Sequence, residues 1–130
     1  MEVGLLERCG MVLREAGGQG LVALVTDATV ASLYGERVLR ALEAAGLRVV
    51  EVAALPPGEG TKTLETAADL YRRLARSGLG RDGLLFALGG GVVLDLAGFV
   101  AATYMRGIPW VSAPTTLLAM VDAAIGGKVG

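Results

Sequence analysis

Residues 84–128, LLFALGGGVVLDLAGFVAATYMRGIPWVSAPTTLLAMVDAAIGGK, hold the pattern from which the rest of the chain can be read. Residues 84–88 are an apolar run of strand length. Gly89, Gly90 and Gly91 then make a sharp turn, and residues 92–105 carry apolar side chains at helical spacing. Strand, glycine turn and helix in that order are the phosphate-binding arrangement of an α/β sheet, in which backbone N–H groups and the helix dipole face an anion.

Working outward, the spacing predicts a helix over residues 5–15, ending at Gly17 and Gly18, and an uninterrupted strand over 21–26 of the kind that is covered on both faces. A helix over 29–45 stops at Gly46, a short strand follows at 48–52, and residues 55–60 form a proline and glycine loop. A third helix spans 63–77, capped by Thr63 and closed by Gly78. Beyond the central unit, residues 108–112 predict another strand and residues 115–121 begin another helix. Strands alternating with helices through short loops predict an α/β fold: a Rossmann-like parallel sheet with helices on both faces, in one domain over residues 1–130. Trp110 and Met120 read as core residues.

The composition is apolar, with 53% hydrophobic residues, 19% charged residues and a mean hydropathy of +0.57. An exposed apolar patch is therefore expected. The longest charge-free stretch, residues 107–121, is interrupted by Pro109 and Pro114, so no membrane span is predicted. The first ten residues lack the basic start and continuous apolar core of a secretory signal, and a lone Cys9 fits a reducing, cytoplasmic setting. A net charge of −1 without basic clusters argues against nucleic acid as a partner. The chain has no histidine, which removes the usual nitrogen ligands of a zinc site; no metal ligand is predicted among these residues.

Ligands of open parallel sheets collect at the carboxyl ends of the strands. Asp27, the loop from Pro57 to Lys62, the turn from Gly89 to Asp95, and residues 113–116 fall there. Asp27 suits either a ribose diol or a helix cap. Glu59 and Lys62 suit either a ligand or a solvated pair leading into a helix. Three adjacent glycines exceed what a turn requires, although Leu94 stands where a dinucleotide fingerprint has its third glycine. Asp95 falls in the first turn of its helix, where a carboxylate also complements the dipole. Arg106 suits either the last helical carbonyls or an anion. Thr115 and Thr116 open a helix with two hydroxyls, and Asp122 and Lys128 flank Gly126 and Gly127 in a region otherwise without charge.

Residues 89–130 resemble the central signature of 3-dehydroquinate synthase, and PGEGTKTL at 57–64 resembles its upstream loop. The TYMRG and VDxxIGGK elements separate this pattern from the related metal-dependent polyol dehydrogenases, which share the glycine turn and the Pro-Thr-Thr. The resemblance implies a shikimate-pathway lyase, commonly a homodimer, that uses NAD and a divalent metal, zinc or cobalt. It would convert 3-deoxy-arabino-heptulosonate 7-phosphate to 3-dehydroquinate and phosphate, with NAD recycled in each turnover. It further implies that this chain is the N-terminal NAD-binding part. The family's first strand would lie before it, and a C-terminal α-helical domain with a glutamate and two histidine metal ligands beyond it.

Carried over by position, Asp27, Glu59 and Lys62 would hold the adenosine side of NAD, with Gly58 also at the cofactor. Gly90 and Gly91 would approach the pyrophosphate, Asp95 the nicotinamide end, and Thr115 and Thr116 the nucleoside portion. Arg106 would bind the phosphorylated sugar-acid substrate, from a neighbouring subunit of the dimer, while Asp122 and Lys128 would sit between cofactor and substrate. Against the family pattern, Leu94 replaces a glycine and is expected to crowd the cofactor, Ala123 and Ala124 replace serines, and Val129 replaces a threonine. A related sugar-phosphate cyclase, a polyol dehydrogenase, or a truncated non-catalytic nucleotide-binding module are the alternatives.

Overall fold

The computed structural model describes residues 20–115. The helix expected over 5–15, most of the helix expected over 115–121, and Thr116, Met120, Asp122, Ala123, Ala124, Lys128 and Val129 lie outside the described residues.

Four strands, β1 (Leu21–Asp27), β2 (Arg48–Leu55), β3 (Leu84–Gly89) and β4 (Trp110–Pro114), form one sheet in the order β2-β1-β3-β4, with every neighbouring pair parallel. Between them run α1 (Ala28–Ala44), α2 (Leu64–Ser77) and α3 (Gly91–Thr103), with short 3-10 turns at Glu59–Thr61 and Tyr104–Arg106. The Rossmann-like expectation holds. Among the described residues no helix is long and apolar enough to cross a membrane.

The two faces of the sheet follow from the period of two along a strand. Ala23 and Val25 of β1 and Leu85 and Ala87 of β3 pack under α2 and α3 with Leu70, Leu74, Leu96 and Val100. Val22 and Leu24, together with Leu84, Phe86 and Leu88, point the other way and pack with Val30, Val38 and Leu42 of α1. Burial on both faces explains why β1 and β3 are apolar without alternation.

The helix ends follow local chemistry. Asp27 Oδ1 accepts a hydrogen bond from Val30 N at 2.8 Å and caps α1, and Thr63 Oγ1 accepts one from Thr66 N at 3.0 Å and caps α2. Across β2 and α2, Arg73 Nε donates to Glu51 Oε2 at 2.8 Å, tying helix to strand.

Several boundaries differ from expectation. Strand β2 continues to Leu55 because β1 offers it partners as far as Asp27. Helix α3 ends at Thr103, two residues early, because Met105 and Arg106 take positive φ values of 50° and 68°. Strand β4 starts at Trp110 instead of Ile108: Ile108 N turns back to Ala101 O at 2.8 Å, and proline at 109 has no N–H for the ladder. Trp110, expected in the core, is 40% exposed at the sheet edge, with its ring over Gly98, where a Cβ would come within 3.0 Å of it.

Candidate nucleotide-binding cleft

Strands β1 and β3 lie side by side but send their chains in opposite directions, one through α1 to β2 and the other through α3 to β4. A crevice opens at the carboxyl edge where neighbouring strands diverge in this way. It is a cleft of about 150 Å³ lined by Asp27 after β1, by Pro56, Pro57 and Gly58 after β2, and by Gly90, Gly91 and Val92 after β3. Three separate loops of the sequence reading thus meet in one place.

The glycine turn divides into two kinds of position. At Gly89 a Cβ would stand 2.9 Å from Val93 Cβ, so this glycine serves the close packing of α3 on the sheet. Gly90 and Gly91 have neither a positive φ nor any atom within 4 Å of a Cβ. Backbone conformation and packing therefore give no reason for glycine at 90 and 91, whereas bare amides facing an open cleft do. Gly90 is the N-cap of α3 and makes no side-chain cap hydrogen bond, and no acidic residue stands in the first helical turn. That end of the helix keeps its N–H donors and positive dipole for an anion. Leu94, expected to crowd the cofactor, is partly buried against the core under α3, and the cleft wall here is Val92 and Val93.

Asp27 fulfils the cap reading and lines the cleft as well. The cap engages Oδ1, and a carboxylate has a second oxygen with which to accept from a hydroxyl. Lys62 is not paired with Glu59. Its Nζ lies 3.1 Å from Oδ2 of Asp95, joining the loop after β2 to α3. Because α3 begins at Gly91, Asp95 falls in the second turn instead of the first, and an ion pair replaces the expected dipole interaction. The pair stands on the rim of a second hollow of about 270 Å³ between α2 and α3, which Leu64, Ala67, Leu96 and Phe99 line. Glu59 is exposed on the 3-10 turn beside Gly58, whose φ of 109° suits glycine.

Thr115 stands one residue past Pro114, which pairs with Gly89, so it shares the carboxyl edge of the sheet. Arg106 does not join these residues. Thirteen residues of α3 separate the glycine turn from the turn that carries Arg106, which places the Arg106 backbone about 20 Å away at the opposite edge. The sequence reading missed Thr61, a buried loop threonine whose hydroxyl donates to Pro56 O at 2.5 Å. No sequence signal distinguishes it from a solvated threonine. Among the described residues no group of three or more His, Cys, Asp or Glu side chains is placed to hold a metal ion.

The family model for the N-terminal part of 3-dehydroquinate synthase matches residues 52–130. The 3-dehydroquinate synthase of Citrifermentans bemidjiense is 50% identical over 130 residues, which is all of this chain and 36% of that protein. Among solved structures, the 2-epi-5-epi-valiolone synthase ValA of Streptomyces hygroscopicus, with NAD+ and Zn2+ bound, superposes with a TM-score of 0.70 at 32% identity, over 89% of this chain and 32% of that one. A 2-deoxy-scyllo-inosose synthase complexed with carbaglucose-6-phosphate, NAD+ and Co2+ gives a TM-score of 0.74 at 25% identity, over 85% and 30% of the two chains. The chain spans about a third of the length of the curated relatives it matches.

Proposed function

The chain belongs to the 3-dehydroquinate synthase family, and from that premise we propose that it forms the NAD-binding part of an enzyme converting 3-deoxy-arabino-heptulosonate 7-phosphate to 3-dehydroquinate and phosphate. The observation that carries this reading is the open space over Gly90 and Gly91 at the N-terminus of α3, where two residues without side chains border a cleft at the divergence of β1 and β3.

The residues present fit a dinucleotide. Amides of the first turn of α3 would receive the pyrophosphate, and Gly90 and Gly91 would let it approach the backbone. Asp27 would accept from a ribose hydroxyl while continuing to cap α1. Glu59 and Lys62 would border the adenosine side, and Asp95, Thr115 and Thr116 would border the remainder. When bound, NAD would supply a hydride acceptor and donor beside the substrate carbon. A divalent metal, as bound in the two solved cyclases, finds no ligand set among the described residues.

Arg106, Asp122 and Lys128 are assigned to the phosphorylated substrate. The distance between Arg106 and the cleft of its own chain favours its service to a neighbouring copy in a homodimer, and a cytoplasmic setting accompanies the pathway. Titration calorimetry of the chain with NAD, followed by release of inorganic phosphate from the heptulosonate phosphate once the family's C-terminal metal-binding domain completes the chain, tests the reading. Saturable NAD binding and phosphate release are expected. Binding without phosphate release would move the assignment to another cyclase or a dehydrogenase, and absence of binding at millimolar NAD would overturn it.

A further inference from the structure

The loop between β2 and α2 carries Gly58 and Lys62 and is short of regular structure, yet it is closed on itself. Thr61 is 8% exposed, and its hydroxyl donates to Pro56 O at 2.5 Å, so the loop's first residue is joined to its sixth through a side chain. Two backbone bonds complete the closure, from Thr61 N to Gly58 O at 3.2 Å and from Lys62 N to Glu59 O at 3.1 Å. Pro56, Pro57 and Gly58 form one wall of the cleft, and Lys62 leaves the loop toward Asp95. The bonds that close the loop on the downstream side of that wall therefore pass through Thr61 or its neighbour Lys62.

We infer that Thr61 is a positioning residue for the nucleotide: its bond to Pro56 holds Gly58 at the cleft and sets the reach of Lys62, without touching the ligand itself. The inference rests on the nucleotide reading of the cleft. A loop that samples other conformations binds more weakly by the fraction of time it is competent. Replacing the hydroxyl by a methyl group leaves Pro56 O without its donor and lets the wall relax.

The test compares Thr61→Val and Thr61→Ser with the parent in the full chain, with NAD affinity read by calorimetry and loop closure by amide hydrogen exchange at residues 58–62. For Thr61→Val, NAD affinity is expected to fall about three- to tenfold, with faster exchange confined to the loop and an almost unchanged thermal midpoint. Thr61→Ser, which keeps the donor, is expected to restore both readouts. Parental affinity in Thr61→Val, or equal losses in the valine and serine variants, would overturn the positioning role while leaving the nucleotide reading intact. A parent that binds no NAD would overturn both.

Discussion

Lys62 Nζ stands 3.1 Å from Asp95 Oδ2, tying the loop after β2 to the second turn of α3 across 33 positions of sequence. Both side chains are half exposed or more, so the attraction is screened and the pair contributes at most about 1 kcal/mol to folding. Lys62→Met is accordingly expected to leave the denaturation midpoint nearly unchanged. If Lys62 also meets the nucleotide, the same variant weakens NAD binding about tenfold, the size of one charge-assisted hydrogen bond. Denaturant titration and calorimetry on one preparation separate the two effects, and a large loss of stability would mean that the pair is structural.

The glycine turn should divide under alanine substitution. Gly89→Ala forces a Cβ to within 2.9 Å of Val93 Cβ and is expected to cost about 1–3 kcal/mol of stability. Gly91→Ala meets open space at the first residue of α3 and is expected to leave stability unchanged or raise it by up to about 1 kcal/mol. Its NAD affinity is nevertheless expected to fall at least about tenfold, because the methyl group occupies the approach to the amides. Unimpaired binding by Gly91→Ala would remove the main support for a pyrophosphate at this turn.

Asp27 performs two tasks that substitution can part. Asp27→Ala removes the cap on Val30 N and should cost about 1 kcal/mol. Asp27→Ser keeps a capping oxygen and should regain most of that stability, but not the carboxylate oxygen offered to a ribose. Thermal unfolding and NAD titration of the two variants give the comparison, and full affinity in Asp27→Ser would confine this residue to its cap.

Burial raises the Tyr104 phenol above its ordinary value of 10.0, and its hydroxyl donates to Leu79 O at 2.8 Å. The folded state thus holds this proton more tightly than the unfolded chain. The resulting stability is fully present below pH 10 and is lost as pH rises through the higher folded value. Tyr104→Phe should flatten that alkaline decline and cost about 0.5–1.5 kcal/mol at neutral pH through the orphaned carbonyl of Leu79. Urea denaturation between pH 7 and 11 is the measurement, and parallel curves for the two proteins would contradict it.

Met105 and Arg106 both occupy the left-handed region, at φ 50° and 68°. Arg106→Gly should relieve about 1 kcal/mol of backbone strain and raise the unfolding midpoint. Turnover is expected to fall by about tenfold or more if the guanidinium meets an anionic substrate. A variant that gains stability and keeps full activity would make this turn a folding feature alone.

The order of elements was legible in the residues because each rule involved is local. The apolar runs at β1 and β3 require cover on two faces, Thr63 caps its own helix, and Gly90 and Gly91 end the strand and open the next helix. The location of the cleft was legible too, since a parallel sheet gathers its loops at one edge. What depended on tertiary structure was each choice between residues of similar type. The lysine at 62 chose Asp95 over Glu59, three positions away, because α3 brings that carboxylate within reach. Of three equivalent glycines, one proved to serve packing and two to face open space. The end of α3 at Thr103, the buried clamp of Thr61 and the separation of Arg106 from the cleft likewise depend on distances across the fold. Sequence alone determined which segments become strands, helices and turns; contacts between segments decided which side chains meet, because pairing energies depend on where the completed sheet holds each loop.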